Sequence, residues 1–147
     1  AMRYAPEIRL TKKQKKNLGE IKSIYGYISN SWDKYAIHLI EPILKLIPNR
    51  GNITKHNTFK FYDKTSQSIS FESGVNIQVN TFGKSISPFY LKVIGTRGTI
   101  DISFKDMFKA FRASLKDFTR GIINKEVRIR SESVIEIIKL IELGRNK

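Results

Sequence analysis

The sequence predicts an α+β domain, a mostly antiparallel (mixed) sheet with helices packed on one face and the other face available for oligomerisation. Three observations carry this. Between Thr58 and Phe104 apolar residues recur at every second position in several short runs, the period of strands with one buried face. On either side, the chain from Asp33 to Ile47 and the chain beyond Phe104 carry apolar residues at spacings of three and four, the period of helices. A length of 147 residues with 40% hydrophobic residues suits one core, so residues 1–147 are read as a single domain.

The elements follow in order. Pro6 to Leu18 predicts a short helix, because proline is tolerated in a first turn and Gly19 stops the run. Its apolar positions are only Ile8, Leu10 and Leu18, which leaves Lys12, Lys13, Lys15 and Lys16 as a solvated face. Glu20 to Ser29 predicts a strand with apolar residues on both sides. Asp33 to Ile47 predicts a helix capped by Ser31 or Asn30 and broken at Pro48–Asn52. Thr58–Tyr62 and Ser68–Phe71 flank an expected turn at Asp63–Ser66. Val75, Ile77 and Val79 alternate with Asn76, Gln78 and Asn80. Phe89–Ile94 and Thr99–Phe104 predict a hairpin around Gly95-Thr96-Arg97-Gly98. Tyr90 and Ile94 alternate with Phe89, Leu91 and Val93, so this strand is apolar on both faces and predicts a dimer through the sheet.

Two helices close the chain. Phe104, Phe108, Phe111, Leu115, Phe118 and Ile122 keep helical spacing and are expected in the core. Ser133 and Glu136 have capping-box spacing. Val134, Ile137, Ile138 and Ile141 form a last stripe expected to be buried, with Gly144 ending the helix.

Composition narrows the classes. No apolar run approaches the ~18 residues of a membrane span, and the N-terminus shows no apolar leader. The chain has no cysteine, which excludes disulfides and thiolate metal sites and, with the absence of a span, predicts a cytoplasmic protein without a membrane partner. His38 and His56 stand apart in sequence, so no metal site is expected. The net charge of +14 raises nucleic acid as a partner. Only Lys12–Lys16 clusters, however, and no aromatic residues interleave with it to stack on bases. The expectation is therefore against nucleic acid.

One helix concentrates the polar chemistry. Lys34, His38, Glu41 and Lys45 recur at i, i+4, i+7 and i+11 on an otherwise apolar helix. Such a stripe is either a narrow solvated seam or the wall of a polar pocket. Pro42 cannot donate to the carbonyl of His38, so a kink or local opening is expected there. A neutral imidazole at this point could hold or transfer a proton; Lys34 would lower its proton affinity and Glu41 would raise it. Gly95-Thr96-Arg97-Gly98 lies between two strands and is read as a hairpin turn, because dinucleotide cradles open a helix.

The segment Trp32-Asp33-Lys34-Tyr35-Ala36-Ile37-His38-Leu39-Ile40-Glu41-Pro42 resembles the Tyr-Gly-Ile-His segment of Gfo/Idh/MocA-type oxidoreductases, the relatives of glucose–fructose oxidoreductase and inositol dehydrogenase. Arg3-Tyr4-Ala5-Pro6-Glu7 resembles the sequence just after that family's nucleotide domain. Leu18-Gly19-Glu20-Ile21 resembles its helix-to-strand turn, Gly95–Ile100 its late hairpin, and the final helix its last helix. The resemblance covers residues 3–144. It implies the C-terminal domain of an NAD(P)-dependent oxidoreductase acting on a sugar, cyclitol or nucleotide-sugar. This domain would supply the substrate pocket and a sheet surface for homo-oligomers.

The N-terminal Rossmann domain, with its glycine-rich loop and Glu-Lys-Pro motif, would lie outside this chain and hold the NAD or NADP. The isolated domain is then expected to be inactive and to contain no cofactor-binding residue. The Ala1-Met2 start resembles an expression-tag scar and fits an excised piece. His38 is implied as the proton-transfer residue. Many members carry an aspartate four residues earlier, where this chain has Lys34; Asp33 is one position away, about 100° around the helix. Lys34 is thus a candidate substrate contact or replacement acid–base group. Arg3, Tyr4, Asn30, Trp32, Asp33 and Tyr35 flank the implied pocket as substrate-binding candidates. Loss of the aspartate keeps a second reading open, a non-catalytic binding or assembly module of the same fold.

Overall fold

Alternation of apolar residues builds one buried sheet face, and a single helix covers its middle. The computed structural model describes residues 1–145. Six strands, β1 (Ile21–Ile28), β2 (Ile53–Phe61), β3 (Lys64–Phe71), β4 (Asn76–Thr81), β5 (Tyr90–Gly95) and β6 (Thr99–Ser103), form one sheet in the order β2-β3-β4-β1-β5-β6. Only β1 and β4 run parallel; every other neighbouring pair is antiparallel. Around the sheet lie α1 (Lys12–Leu18), α2 (Trp32–Leu46), α3 (Met107–Asn124) and α4 (Ser131–Arg145). The fold is α+β with a mixed, mostly antiparallel sheet, as the sequence predicts.

The covered face carries Ile24, Ile69, Ile77, Val79, Leu91 and Val93, all fully buried. α2 lies across it through Ala36, Leu39, Ile40 and Ile43, also fully buried. Each buried Leu or Ile contributes roughly 1.5–3 kcal/mol. Gly26 on β1 sets how close the helix comes: a Cβ there would stand 3.1 Å from methyls of both Leu39 and Leu91. α4 packs on α2 and β3, burying Ile137 and Leu140.

Directly paired residues share a sheet face. The opposite face therefore carries Ser66, Ser68 and Ser70 of β3, Asn76 and Gln78 of β4, and Tyr25 and Tyr27 of β1. Asn76 donates to the hydroxyls of Ser68 and Ser70, and Gln78 to that of Ser66. Phe59 and Phe61 stand exposed at its β2 edge. Tyr90, Lys92 and Ile94 of β5 lie on this face as well.

Several boundaries differ from the sequence reading. Residues 6–18 are not one helix. Met2–Tyr4 and Pro6–Ile8 form 3-10 turns, and α1 starts only at Lys12, because Thr11 and Gln14 make a reciprocal capping box. The β2–β3 turn is tighter than expected: Phe61 already pairs with Lys64, so Tyr62 and Asp63 alone turn the chain, with Tyr62 at φ 54°. Ser31 is the N-cap of α2, without a side-chain cap bond. α2 continues through Pro42.

Two expectations about the closing helices are corrected. The stripe Phe108, Phe111, Leu115, Phe118 and Ile122 is exposed, between 54% and 71%, because α3 turns its small residues Ala110 and Gly121 toward the body instead. On α4, Val134 and Ile138 are exposed, and the buried stripe is Ile137, Leu140 and Gly144. The helix begins at Ser131, so Ser133 sits within the first turn; Gly144 lies inside the helix against Trp32.

Candidate functional site

α2 presents its polar stripe along the side not packed on the sheet. His38 is half-buried, and its ring meets Tyr35 edge-on at 5.6 Å between centroids. Burial holds the imidazole below its ordinary pKa; the amino group of Ala1 pushes it further down, while Glu41 acts in the opposite direction. At neutral pH His38 is thus uncharged and can accept a proton.

Glu41, one turn on, accepts from Arg3 Nε at 3.0 Å and from the Ala1 amino group at 3.2 Å. These bonds tie the opening 3-10 turn to α2. Lys45 Nζ donates to the Arg3 carbonyl at 2.6 Å, and its pKa is lowered by burial and by the nearby Arg9 and Arg3. Tyr4 donates its hydroxyl to Asp117 Oδ2 at 2.7 Å; burial and that bond push the phenol up to about 12. Arg3, Tyr4, Glu41, Lys45, Asp117 and Arg128 line a cleft of 460 Å³.

A second cleft of 380 Å³ lies toward the start of α2, lined by Asn30, Lys34, Tyr35, Asp63 and Lys84. Asn30 adopts φ 74° and bridges to Gly83, which brings the segment 82–84 against the helix start. Asp63 Oδ2 accepts from the Lys84 amide at 2.7 Å. His38 stands between the clefts, one turn after Lys34 and one turn before Glu41.

The structure thus divides the eight sequence candidates. Arg3 and Tyr4 join one cleft, and Asn30, Lys34 and Tyr35 the other; His38 lines neither and lies on α2 between the turns that do. Trp32 and Asp33 line neither cleft. Trp32 is 5% exposed, donates Nε1–H to the Ile141 carbonyl at 2.9 Å and serves as packing under α4. Asp33 pairs with Arg145 at 2.6 Å. Their positions on the helix wheel point them to α4, which a sequence without its tertiary partner does not reveal. Asp63, Lys84 and Asp117 were not singled out from sequence. Asp117 had one signal, a lone acid among Lys109, Arg112, Lys116 and Arg120.

The turn Gly95–Gly98 joins antiparallel β5 and β6, and the crossover from β1 enters α2 through Ser29-Asn30-Ser31. Among the described residues there is no glycine-rich strand-to-helix loop to cradle phosphates. No group of three His, Asp or Glu residues among them is placed to hold a metal ion. No helix among them is long and apolar enough to cross a membrane.

No protein-family model and no curated protein matches the chain. Solved structures do. The chain is similar to myo-inositol 2-dehydrogenase from Lactobacillus plantarum at 16% identity and a TM-score of 0.73, over 97% of this chain and 59% of that one. It is similar to scyllo-inositol dehydrogenase from Lactobacillus casei, solved with NAD(H) and scyllo-inositol, at 16% identity and a TM-score of 0.69, over 97% of this chain and 58% of that one. A myo-inositol dehydrogenase from Corynebacterium glutamicum matches at 14% identity and a TM-score of 0.71, over 97% and 59%. The chain therefore has the fold of somewhat more than half of each of these dehydrogenases. That shared fold is the one the sequence resemblance to the Gfo/Idh/MocA type implies.

Proposed function

We propose that this chain is the substrate-binding C-terminal half of a Gfo/Idh/MocA-type oxidoreductase that oxidises a hydroxyl of a sugar-like or cyclitol substrate. The observation that carries this reading is His38: a half-buried imidazole on α2 between the turns that line two polar clefts, in a fold shared with inositol dehydrogenases, with burial lowering its pKa. NAD or NADP, held on a Rossmann domain outside this chain, would accept the hydride. The residues here would do the rest. His38 takes the hydroxyl proton at its free ring nitrogen, and its low proton affinity keeps it ready at neutral pH. Tyr35 fixes the ring edge-on. Lys34 and Asn30 offer hydrogen bonds to neighbouring hydroxyls on one side, and Arg3 and Tyr4 do so on the other.

The test uses the full-length gene product with a panel of inositols and sugars and both nicotinamide cofactors. His38→Ala should lower kcat about 10²- to 10⁴-fold, the range of a positioned acid–base group. Unchanged hydride transfer across the panel would remove the catalytic role.

Lys34 supports a second reading, a binding or assembly module without chemistry, because it stands where many of these enzymes carry an aspartate. Full-length protein that binds polyols yet turns none over would favour this reading. In either case the uncovered sheet face, with Phe59, Phe61, Tyr27 and Tyr90, is the proposed self-association surface of a cytoplasmic homo-oligomer. Sedimentation of Phe59→Lys against the parent chain tests that.

A further inference from the structure

Lys34 breaks a local rule. It lies in the first turn of α2, where the helix dipole favours an acid and disfavours a cation. The fold then brings a second cation to the same place. Asn30 donates its amide to the Gly83 carbonyl at 2.6 Å and accepts from the Gly83 amide at 3.1 Å. This pairing sets Lys84, the next residue, into the lining of the 380 Å³ cleft that Lys34 also lines.

The nearby acids do not answer these charges. Asp63 is the only acid among the described residues of the lining. Its Oδ2 accepts from the Lys84 backbone amide at 2.7 Å, and the carboxylate packs against Gly83, so it holds the loop in place. That amide first, and the charges of Lys64 and Lys84 after it, hold its pKa below the usual value. Asp33, the neighbour of Lys34 in sequence, is taken by Arg145 at 2.6 Å. Among the described residues, neither Lys34 nor Lys84 has a carboxylate paired with its ammonium group. Two cations and the positive end of a helix thus surround one polar hollow and repel one another. Chains keep such local conflicts at sites where something else resolves them.

Negative charge resolves this one. A neutral polyol would accept hydrogen bonds from both ammonium groups and leave their charge in place. A carboxylate or phosphate would accept stronger, charge-assisted bonds from the same lysines. The distance to His38 suits a substrate group. Lys34 precedes His38 by one turn, about 6 Å along the helix axis, comparable to the width of a sugar ring. Lys34 is also not among the charges that act on the imidazole, which are those of Ala1 and Glu41. Its charge therefore serves the cleft and leaves the proton affinity of His38 alone.

We propose that the substrate carries a carboxylate or phosphate group on the ring it presents to His38, and that Lys34 and Lys84 bind this anion and select for it. This deepens the reading under Proposed function and rests on it for the ring and its reacting hydroxyl.

The experiment measures binding and turnover separately on the full-length gene product. Calorimetry in the presence of NADH reads the binding of glucose, glucuronate and glucose 6-phosphate, which share one ring; galactose and galacturonate repeat the comparison on a second. The better anionic probe should bind about tenfold more tightly than its neutral counterpart, the effect of about one hydrogen bond to a charged group. Lys34→Met and Lys84→Met keep an unbranched side chain and remove the charge, and each should abolish most of this preference. Lys13→Met on α1 removes the same charge elsewhere and should leave the preference intact. A uronate ahead of the phosphate assigns a carboxylate, and the reverse order a phosphate ester; either supports the proposal. Equal binding of neutral and anionic probes, binding of no anionic probe, or an equal loss of preference in Lys13→Met would overturn it. Reduction of NAD or NADP with the same probes tests the oxidoreductase reading by itself. Preferred binding of an anionic probe without turnover keeps the anion site and removes that reading. Turnover with no anionic preference in binding keeps the reading and overturns the anion site.

Discussion

Arg3 and Glu41 form an ion pair with Nε and Oε1 3.0 Å apart, and both side chains are largely shielded, at 15% and 13% exposure. The pair fastens the opening turn to α2 one turn beyond His38. Glu41→Gln keeps the shape and removes the charge. Arg3 is then left short of its partner in a shielded place, at a cost of about 1–3 kcal/mol. His38 also loses the one group that supports its protonated form. Urea denaturation should show the loss of stability. NMR titration of the His38 ring should show its midpoint moving to lower pH. An unmoved midpoint would mean that Glu41 does not act on the imidazole.

The lowered pKa of His38 also sets a direction for stability. In the unfolded chain the imidazole titrates near its ordinary value of about 6.5; in the fold it titrates lower, first because of burial. Between these values the unfolded chain binds more protons, so stability falls as pH drops below about 6.5 and is unaffected by this group above it. His38→Gln removes this contribution. Comparing urea midpoints at pH 5 and pH 7.5, the variant should lose less stability on acidification than the parent chain. An equal loss would assign the acid sensitivity elsewhere.

Trp32 and Gly144 fit against one another so closely that a Cβ at position 144 would overlap Cζ2 and Cε2 of the indole. Gly144→Ala gains helix propensity but overpacks this contact, and the overpacking should prevail with a net loss of about 1–3 kcal/mol. Trp32 is the only tryptophan. Its fluorescence reports the unfolding transition and any shift of the ring in the variant.

Gln67 is fully buried between β3 and α4. Its Nε2 donates to the Leu140 carbonyl at 3.1 Å, while its Oε1 has no partner. Gln67→Met removes one satisfied and one orphaned polar group at similar volume. The two effects oppose each other, so stability should stay within about 1 kcal/mol of the parent chain. A loss well beyond that in urea denaturation would show that the bond to α4 outweighs the orphaned oxygen.

The sheet was legible because Ile77, Val79, Leu91 and Val93 write their facing directly into a period of two, and α2 because its apolar stripes exceed what a solvated helix needs. From the same helix and its resemblance the sequence singles out His38, Lys34, Asn30 and Tyr35, and the fold sets Asn30, Lys34 and Tyr35 along one cleft. For Trp32 and Asp33 helical spacing gives relative angles and leaves open which neighbour each angle meets; α4, more than a hundred residues on, contacts both. Asp63 and Lys84 were invisible because a tight turn and a bridge at Asn30 bring them in from remote positions. The α3 stripe was misread for a related reason. Periodicity marks Phe108, Phe111 and Phe118 as one stripe, but it cannot say whether the body of this chain covers that stripe.

That misreading yields the sharpest stability test. If Phe111 and Phe118 were core residues of this chain, truncating either would cost about 3–5 kcal/mol. At 58% and 62% exposure they touch little of it. Phe111→Ser and Phe118→Ser should each change the stability of the 147-residue chain by no more than about 0.5 kcal/mol, the range of surface positions, plus a few tenths for the lower helix propensity of serine. Urea denaturation midpoints of the two variants against the parent chain measure this. A large loss in the 147-residue chain alone would place these rings in a core that the exposed stripe does not possess.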